Sequence, residues 1–317
     1  MGICIDSPDT DAVSLLKNAD AALYRSKTAG KSQISWYTEN MEHATIEKLQ
    51  LESSLRLAIE RDELSLQYQP QFSLKTGACT GMEALLRWDR RDLGVVEPSD
   101  FIPLAEETGL IVSIGNWALQ RACADTVRMS AELGVKLTVA VNMSPRQFQD
   151  KSLYGNIERA LSYSGLPSSC LELEITENIL MHAPESLLAL GQVRDLGVCI
   201  SIGDFGTGFS SMSYITRFAI DRLKIARSFV HGVAQDPSSE VVIVAIIAMA
   251  HGLGVEVLAE GVETEEQLRF MVQHGCDKAQ GYYFSQPMVE AAFIRHYGRH
   301  PVPIALGQVA HKLQPAV

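Results

Sequence analysis

Long apolar runs are absent from this sequence of 317 residues. The longest uninterrupted apolar stretch, Val241 to Ala250, is far too short to cross a bilayer. The first residues also lack the pattern of a basic segment followed by an apolar one that marks a secretory signal. These absences predict a cytoplasmic chain that makes no membrane contact of its own.

Cysteine pairs and an excess of basic charge are also absent. The six cysteines have no CxxC spacing, which excludes a zinc knuckle or a disulfide framework and predicts core thiols. The formal net charge of -11 argues against a nucleic-acid polymer as partner, since such affinity comes from basic patches. A small phosphate ligand held through metal ions is compatible with this charge.

The periodicity of apolar residues divides the sequence into four segments. Residues 1–38 contain one helical pattern and a strand-like end, and residues 39–62 form a charged amphipathic connector helix. In residues 63–295, short apolar runs alternate with helical patterns, as in repeated β-α units that build a parallel sheet. Residues 296–317 form a C-terminal tail. About eight strands predict an α/β fold, a TIM-like (β/α)8 barrel with a short N-terminal helical and strand extension.

The predicted helices are followed by glycines, which favour the left-handed backbone at a helix end. These helices lie near 99–107, 111–133, 152–164, 184–196, 237–253 and 264–274, and the glycines are Gly109, Gly134, Gly165, Gly197, Gly254 and Gly275.

Polar side chains recur at the ends of the predicted strands, which is how a parallel barrel assembles one site from distant segments. They are Glu83, Asn142, Glu174, Asp204, Lys224, Glu260 and Gln280. Alternation along each strand places Asn142 opposite Val139 and Val141, on the inner face. Interior carboxylates need partners, and oxygen-only ligands suit hard ions, so the pattern predicts Mg²⁺ or Mn²⁺.

Each of these residues also has a simpler interpretation. Glu83 or Glu260 alone would be a capping or surface carboxylate, and Lys224 would be a solvated strand residue. Glu177 is an alternative ligand to Glu174, although Glu174 shares the inner face with its strand neighbours. Recurrence at several strand ends favours a single site.

Seven motifs give the chain a specific family resemblance. Over about residues 45 to 295 it resembles the EAL domain of bacterial cyclic di-GMP phosphodiesterases, which implies a barrel of the EAL type. The motifs are Glu83–Trp88, Asn142–Phe148, Glu172–Glu177, Asp204–Ser211, Leu223–Ile225, Ala259–Thr264 and Gln280–Tyr282. Ala19–Lys31 is similar to the last helix and strand of a GGDEF domain whose signature is absent. The resemblance therefore implies a fragment of a longer GGDEF-EAL protein without cyclase activity.

The resemblance implies hydrolysis of cyclic di-GMP to linear pGpG with two divalent ions. By position, Glu83, Asn142 and Glu174 hold the first ion, while Asp204 and Glu260 serve the second. Lys224 orients the attacking water or offsets phosphate charge, so that Glu83, Lys224 and Glu260 are the catalytic set. The resemblance also implies substrate contacts. Arg87 would bind a phosphate, and Gln69 and Pro287 would border the guanine pocket. The other implied contacts are Leu85, Asn142 and Asp221, with Glu263 and Gln280 in supporting positions.

Two departures from the family pattern predict impaired hydrolysis with ligand binding retained. The family usually has two consecutive aspartates before Phe-Gly, and the first, which bridges the two ions, is replaced here by Gly203. Asp204 is expected to begin the following loop. The family also usually reads Lys-Ile-Asp where this chain has Lys224-Ile225-Ala226.

Three functional hypotheses remain open at this stage. The first is a metal-dependent phosphodiesterase and the second is a catalytically inactive cyclic di-GMP receptor. The third is a barrel glycosidase with two carboxylates, which the placement of the three tryptophans away from the strand ends does little to support. The resemblance also implies a homodimer, with contacts near the loop after Asp204.

Overall fold

The computed structural model describes residues 1–5, 11–28, 34–38, 40–177, 179, 184–207 and 220–298. At the N-terminus, strands β1 (Gly2–Ile3) and β2 (Ser35–Trp36) pair in parallel and are connected by helix α1 (Ala12–Thr28). Helix α2 (Asn40–Leu57) follows and leads into the main domain. The described helices and strands coincide with the helical and strand patterns predicted for residues 1–62. Residues 29–31 of the motif similar to GGDEF lie outside the described residues.

The main domain is a closed barrel of eight strands, as predicted. The barrel strands are β3 (Leu64–Ser73), β4 (Cys79–Arg90), β6 (Thr138–Met143), β7 (Leu171–Thr176), β8 (Cys199–Phe205), β9 (Arg222–Ile225), β10 (Glu256–Ala259) and β11 (Lys278–Ala279). Closure occurs where β3 pairs with both β4 and β11. The short strand β5 (Gly94–Val96) lies outside the barrel and extends the sheet from β4.

The expectation of an all-parallel sheet is wrong at β3. This strand runs antiparallel to both of its neighbours, whereas the other barrel strands are parallel to one another. The physical reason is the connection: β3 and β4 are joined by a tight turn, in which Ser73 N donates to Ala78 O at 2.9 Å. A turn of this length reverses the chain, since a parallel pair needs a long crossover.

Six of the helices after β5 follow the predicted positions within one or two residues, and three others, Pro145–Phe148, Arg227–Gly232 and Glu290–Gly298, were not predicted. After β5 they are α3 (Pro98–Thr108), α4 (Ile111–Leu133), α5 (Pro145–Phe148), α6 (Leu153–Ser164), α7 (Pro184–Asp195), α8 (Arg227–Gly232), α9 (Pro237–Gly252), α10 (Glu265–Gln273) and α11 (Glu290–Gly298). The glycine at the end of α3, Gly109, has a φ of 80°, the left-handed conformation expected there. None of the described helices is both long enough and apolar enough to cross a membrane.

The hydrophobic core lies between the outer face of the barrel and the helices. Val139 and Val141 of β6 are buried there, which confirms the alternation that turned Asn142 inward. A second cluster joins the connector helix to the barrel, where Leu55 packs in the same group as Trp88 and Phe101. The inner face is left to polar side chains, and this arrangement determines where the candidate site lies.

Candidate active site

Six of the polar side chains predicted at strand ends converge inside the barrel, at the carboxyl ends of the parallel strands. They are Glu83 on β4, Asn142 on β6, Glu174 on β7, Lys224 on β9, Glu260 after β10 and Gln280 after β11. The register of the parallel strands places these side chains at the same height in the barrel; Asn142 of β6, for example, is paired with Glu174 of β7. The carboxyl-terminal face is where barrel enzymes build their sites.

Three carboxylates form the centre of this group. Oxygen atoms of Glu83, Glu174 and Glu260 all lie within 4.8 Å of one another. The Nζ atom of Lys224, which is fully buried, lies 3.2 Å from Glu83 and 2.6 Å from Glu260, and it also pairs with Glu174. We call Glu83, Glu174, Glu260 and Lys224 the carboxylate cluster. Three acidic groups around one ammonium leave an excess of negative charge.

Amide side chains hold Glu83 from both sides. Asn142 Nδ2 donates to Glu83 Oε1 at 2.7 Å, and Gln280 Nε2 donates to Glu83 Oε2 at 2.5 Å. Gln71 Nε2 in turn donates to Gln280 Oε1 at 2.9 Å. Gln71 was missed by sequence reasoning because β3 runs against the other strands. The three amides fix the orientation of the carboxylate at the centre of the cluster.

Burial and charge act in opposite directions on the cluster. Burial raises the pKa of Glu174 well above its usual value, which Lys224 only partly offsets. Burial also raises the pKa of Glu260, again against the effect of Lys224. For Glu83 burial is outweighed by Lys224 and the two amide donors, so that its pKa is lowered. The pKa of Lys224 is raised well above its usual value, because the three carboxylates outweigh its burial.

Gly203 faces the cluster, as the alternation along β8 predicts. A Cβ atom built on Gly203 would overlap Glu174 Oε1. Asp204 does not begin a loop as expected, since β8 extends to Phe205 and includes it. It has a φ of 51°, lies at an irregularity of the pairing between Ile202 and Phe205, and is exposed, although its charge still acts on Glu260. Asp204 is therefore not one of the carboxylates grouped at 4.8 Å among the described residues.

A second polar layer lies one step deeper in the barrel. Arg222 pairs with Glu172 and donates to Glu256 Oε2 from Nε at 2.8 Å, and Lys278 lies 3.2 Å from the same oxygen. Glu172 and Glu256 lie on the same inner face as the carboxylate cluster, and these basic side chains neutralise them. The lower layer thus separates the carboxylate cluster from the amino ends of the strands.

A cavity of about 300 Å³ lies between β4, β6 and helices α3 and α4, and it meets the site at Asn142, which donates to Glu83. Leu85, Arg87 and Asn142 line it, as do Glu106 and Gln147, which sequence reasoning did not identify. Burial raises the pKa of Glu106, and nearby Arg146 partly offsets this. The helix positions of Glu106 and Gln147 lie away from strand ends, so the search for strand-end residues missed them.

The remaining predicted site residues differ in position. Gln69 Nε2 donates to Ser285 O at 3.2 Å, two residues before Pro287, and the adjacent Tyr68 pairs with Met288. Glu263 lies outside the cluster and accepts from Arg227 Nη2 at 2.7 Å.

Asp221 is not brought to this site. It precedes β9 at the amino end of that strand, where its Oδ2 accepts from Ile200 N at 2.8 Å. Glu177, the alternative ligand to Glu174, also lies outside the cluster, and its two buried carboxylate oxygens have no hydrogen-bond partner among the residues that the structure describes. The motif residues Gly208–Ser211 lie outside the described residues.

The donors of the cluster suit a hard divalent cation. Glu83, Glu174 and Glu260 offer carboxylate oxygens, and Asn142 donates from its nitrogen, which leaves its amide oxygen for a ligand. The ammonium of Lys224 already marks the centre as a position for positive charge. The residues present therefore fit an ion of the type of Mg²⁺ or Mn²⁺.

Fold and site together define a (β/α)8-barrel protein with a buried carboxylate cluster whose donors fit a divalent cation. The EAL domain family matches residues 52–287, and the chain belongs to that family. EAL phosphodiesterases of this kind use divalent metal ions.

Similar proteins include signaling protein YkoW of Bacillus subtilis, 43% identical over 295 residues, which are 92% of this chain and 37% of YkoW. The cyclic di-GMP phosphodiesterase NbdA of Pseudomonas aeruginosa is 40% identical over 89% of this chain and 37% of NbdA. This chain thus spans well under half the length of either relative. Among solved structures, the PaMucR phosphodiesterase in complex with c-di-GMP is 40% identical with a TM-score of 0.74, covering 77% of this chain and 99% of that chain.

Proposed function

We propose that this chain binds cyclic di-GMP and hydrolyses one of its phosphodiester bonds to give linear pGpG, with divalent ions and at a reduced rate. The observation that carries the proposal is the carboxylate cluster at the mouth of the barrel, with Arg87 and a cavity beside it. The cavity volume of about 300 Å³ is in the range of small-molecule pockets. Named relatives and a solved relative that act on or bind this dinucleotide support the choice of ligand.

Each residue has a distinct task in this proposal. Glu83, Asn142 and Glu174 hold the first ion, while Glu260 and Asp204 serve the second. When bound, such ions activate water and neutralise charge on the attacking and leaving oxygens. Arg87, whose Nε is held by Gln67 at 2.9 Å, presents a planar set of donors to a phosphate.

Lys224, Gln280 and the pocket residues complete these tasks. Lys224 offsets phosphate charge or orients the water, since its ammonium is fixed by the carboxylates around it. Gln280 keeps Glu83 oriented. Gln69 and Pro287 border one base, and Leu85 forms part of the cavity wall.

The reduced rate follows from Gly203 and Ala226. The resemblance assigns a carboxylate that bridges the two ions to position 203, and glycine offers no ligand there. Asp204 is exposed and lies outside the group of three carboxylates, so it has to move closer before it can serve the second ion. Changes near a metal site typically lower affinity or activity by ~10–100-fold even outside the ligands themselves. The alternative is a receptor that binds cyclic di-GMP without turnover.

One assay separates the enzyme from the receptor. The chain is incubated with cyclic di-GMP and either Mg²⁺ or Mn²⁺, while binding is followed by calorimetry and linear product by chromatography. Product formation that is lost in Glu260→Gln supports the phosphodiesterase. Tight binding without product supports the receptor, and the absence of both contradicts the proposal.

The domain organisation of the longer protein is also a proposal. We propose that residues 1–38 are the end of a GGDEF domain and that the chain is a cytoplasmic part of a longer GGDEF-EAL protein. The parallel pairing of β1 with β2 around α1 supports the first point. Expression of the whole protein, followed by limited proteolysis and mass spectrometry, would locate the domain boundary and test it.

A homodimer is a further part of the proposal. Helix α9 exposes Val241, Val244, Ala245 and Ala248 along one uncharged face, with Val241 69% and Val244 37% exposed. Contiguous apolar surfaces of this kind mark interfaces, and a second copy would cover the face by a two-fold pairing. Light scattering should give a dimer that Val244→Glu converts to a monomer, while Val135→Glu, at an exposed valine elsewhere, leaves it intact. A monomeric wild type would contradict it.

A further inference from the structure

Asp125 of helix α4 lies behind the barrel wall and connects that helix to strand β3 and to helix α11. Only 2% of Asp125 is exposed, and its Oδ2 accepts from the hydroxyl of Tyr68, which is fully buried, at 2.6 Å. Arg128, one turn further along α4, pairs with the other oxygen of Asp125. Arg128 also donates to the two oxygens of Glu290 from Nε and Nη2, each at 2.9 Å. We call Tyr68, Asp125, Arg128 and Glu290 the Asp125 network.

The tyrosine of this network also holds the segment that leads into α11. Tyr68 N donates to Met288 O at 2.7 Å, and Met288 N donates back to Tyr68 O at 3.0 Å, as in a short antiparallel pair. The next residue of β3, Gln69, donates from Nε2 to Ser285 O at 3.2 Å. Residues 285–290 are therefore tied to β3 along their length and to α4 at their end.

Alternation along β3 connects the network to the candidate site. Tyr68 belongs to the core outside the barrel, whereas Gln69 and Gln71 lie on the inner face, where Gln71 donates to Gln280. In the proposed function Gln69 and Pro287 border one base. The two walls of that base pocket are thus β3 and the segment before α11, which are the elements that the network joins.

Arg128 differs from a second arginine that contacts the same carboxylate. Arg121 Nε donates to Asp125 Oδ2 at 3.0 Å, so the buried charge of Asp125 keeps a basic partner without Arg128. Among the described residues, Arg128 alone bonds both Asp125 and Glu290. Its hydrogen bonds to Glu290 raise the pKa of Arg128 above its usual value. What Arg128 adds is therefore the connection to α11.

We propose that Arg128 is a positioning residue for the dinucleotide: by joining Asp125 to Glu290 it sets the distance between the two walls of the base pocket. This inference rests on the proposed function, which supplies the pocket and its ligand. Arg128 itself contacts neither the ligand nor the ions. Its loss should lower affinity for the dinucleotide and leave affinity for the metal unchanged, because Asn142 and Gln280 still orient Glu83.

The test measures cyclic di-GMP binding by calorimetry in the presence of Mn²⁺, with chromatography to verify that the dinucleotide is uncleaved. Arg128→Ala should weaken binding by roughly tenfold, within the range for residues that act on a site through a network of contacts. Glu290→Gln should have a similar effect, and the double variant should bind no more weakly than either single one, because both changes break one connection. Arg128→Lys keeps the charge without the two parallel bonds and should fall between Arg128→Ala and the wild type.

Arg121→Ala is the matched control. Arg121 also pairs with Asp125 and is 54% exposed, close to the 48% of Arg128, so its loss removes the same charge from the same surface. It should leave affinity for cyclic di-GMP unchanged. Hydrogen exchange tests the connection without any ligand: Arg128→Ala should speed exchange at the amides of Tyr68 and Met288, whereas Arg121→Ala should not.

The outcomes separate this inference from the proposed function. A wild type that binds no cyclic di-GMP would overturn the proposed function and the inference with it. Wild-type binding with equal affinity in Arg128→Ala would overturn the inference alone. Equal losses in Arg128→Ala and Arg121→Ala would also overturn it, since the effect would then come from the charge beside Asp125. So would weaker Mn²⁺ binding in Arg128→Ala, measured like every affinity well below the melting temperature of each variant.

Discussion

Gly203 faces Glu174 so closely that a Cβ atom on the glycine would overlap the carboxylate. The overlap involves the far end of a flexible side chain, so Glu174 can move away without a shift of the backbone. In its present position Glu174 pairs with Lys224. The absence of a side chain at position 203 thus allows Glu174 to lean toward β8.

Gly203→Asp should restore a ligand that the site lacks. The new carboxylate would turn Glu174 away, and both groups would then be available to one cation. We expect Mn²⁺ affinity to rise by roughly 10–100-fold, the scale of such changes at metal sites, with faster formation of pGpG. Calorimetry with Mn²⁺ alone measures the first effect. Gly203→Asn, similar in shape but uncharged, is the control, and equal Mn²⁺ affinity in the two variants would contradict the argument.

Lys224→Met should destabilise the metal-free protein by about 3–5 kcal/mol, because it leaves buried carboxylates without their cation. Lys224 is fully buried and lies 2.6 Å from Glu260. A divalent ion can neutralise the carboxylates in place of the lysine, so Mn²⁺ should raise the melting temperature more in the variant than in the wild type. Urea and thermal unfolding with and without Mn²⁺ measure both effects. Lys136→Met, at an exposed lysine, is the control; a similar response of the two variants would rule out this role.

Tyr68 should make stability fall at alkaline pH. Its hydroxyl donates to Asp125 Oδ2 at 2.6 Å, and burial followed by that carboxylate raises its pKa above the usual 10.0. Below pH 10 both the folded and unfolded states keep the proton. Above pH 10 only the unfolded state loses it, so the free energy of unfolding falls by about 1.4 kcal/mol per pH unit from this group.

Tyr68→Phe removes this contribution while the other tyrosines are retained. Urea unfolding at pH 9, 10 and 11 should therefore show a shallower loss of stability in the variant than in the wild type. The variant starts lower at pH 9, since a hydrogen bond to a charged group contributes about 1.5–3 kcal/mol. Parallel pH profiles would show that Tyr68 does not hold its proton in the folded state.

Gly281→Ala should disturb the site through the backbone. A Cβ atom at Gly281 would overlap the backbone of Val262, so that Gln280, which holds Glu83, has to shift. We expect a destabilisation of about 1–3 kcal/mol, the usual range for overpacking, together with weaker Mn²⁺ binding. Gly155→Ala is the matched control, because Gly155 lies in α6 with open space around it. Equal Mn²⁺ affinity in Gly281→Ala and the wild type would argue against this coupling.

Much of the architecture follows from local patterns. The alternation of valines with Asn142 predicted which side chains of β6 face inward, and Gly109 and Gly134 predicted where two helices end. Such signals are local, because they depend on backbone conformation and on burial of one face. The direction of β3 was predicted wrongly, since the apolar pattern of a strand is the same for parallel and antiparallel neighbours.

The sequence by itself determined the eight-stranded barrel and the inward polar side chains from which the carboxylate cluster is built. Only the tertiary structure decided the partners: that Lys224 lies among three carboxylates, that Gln71 holds Gln280, and that neither Asp204 nor Asp221 belongs to the group of three carboxylates. The physical reason is that alternation along a strand specifies a face, whereas distances between side chains depend on strand register, closure and local irregularities such as the one in β8.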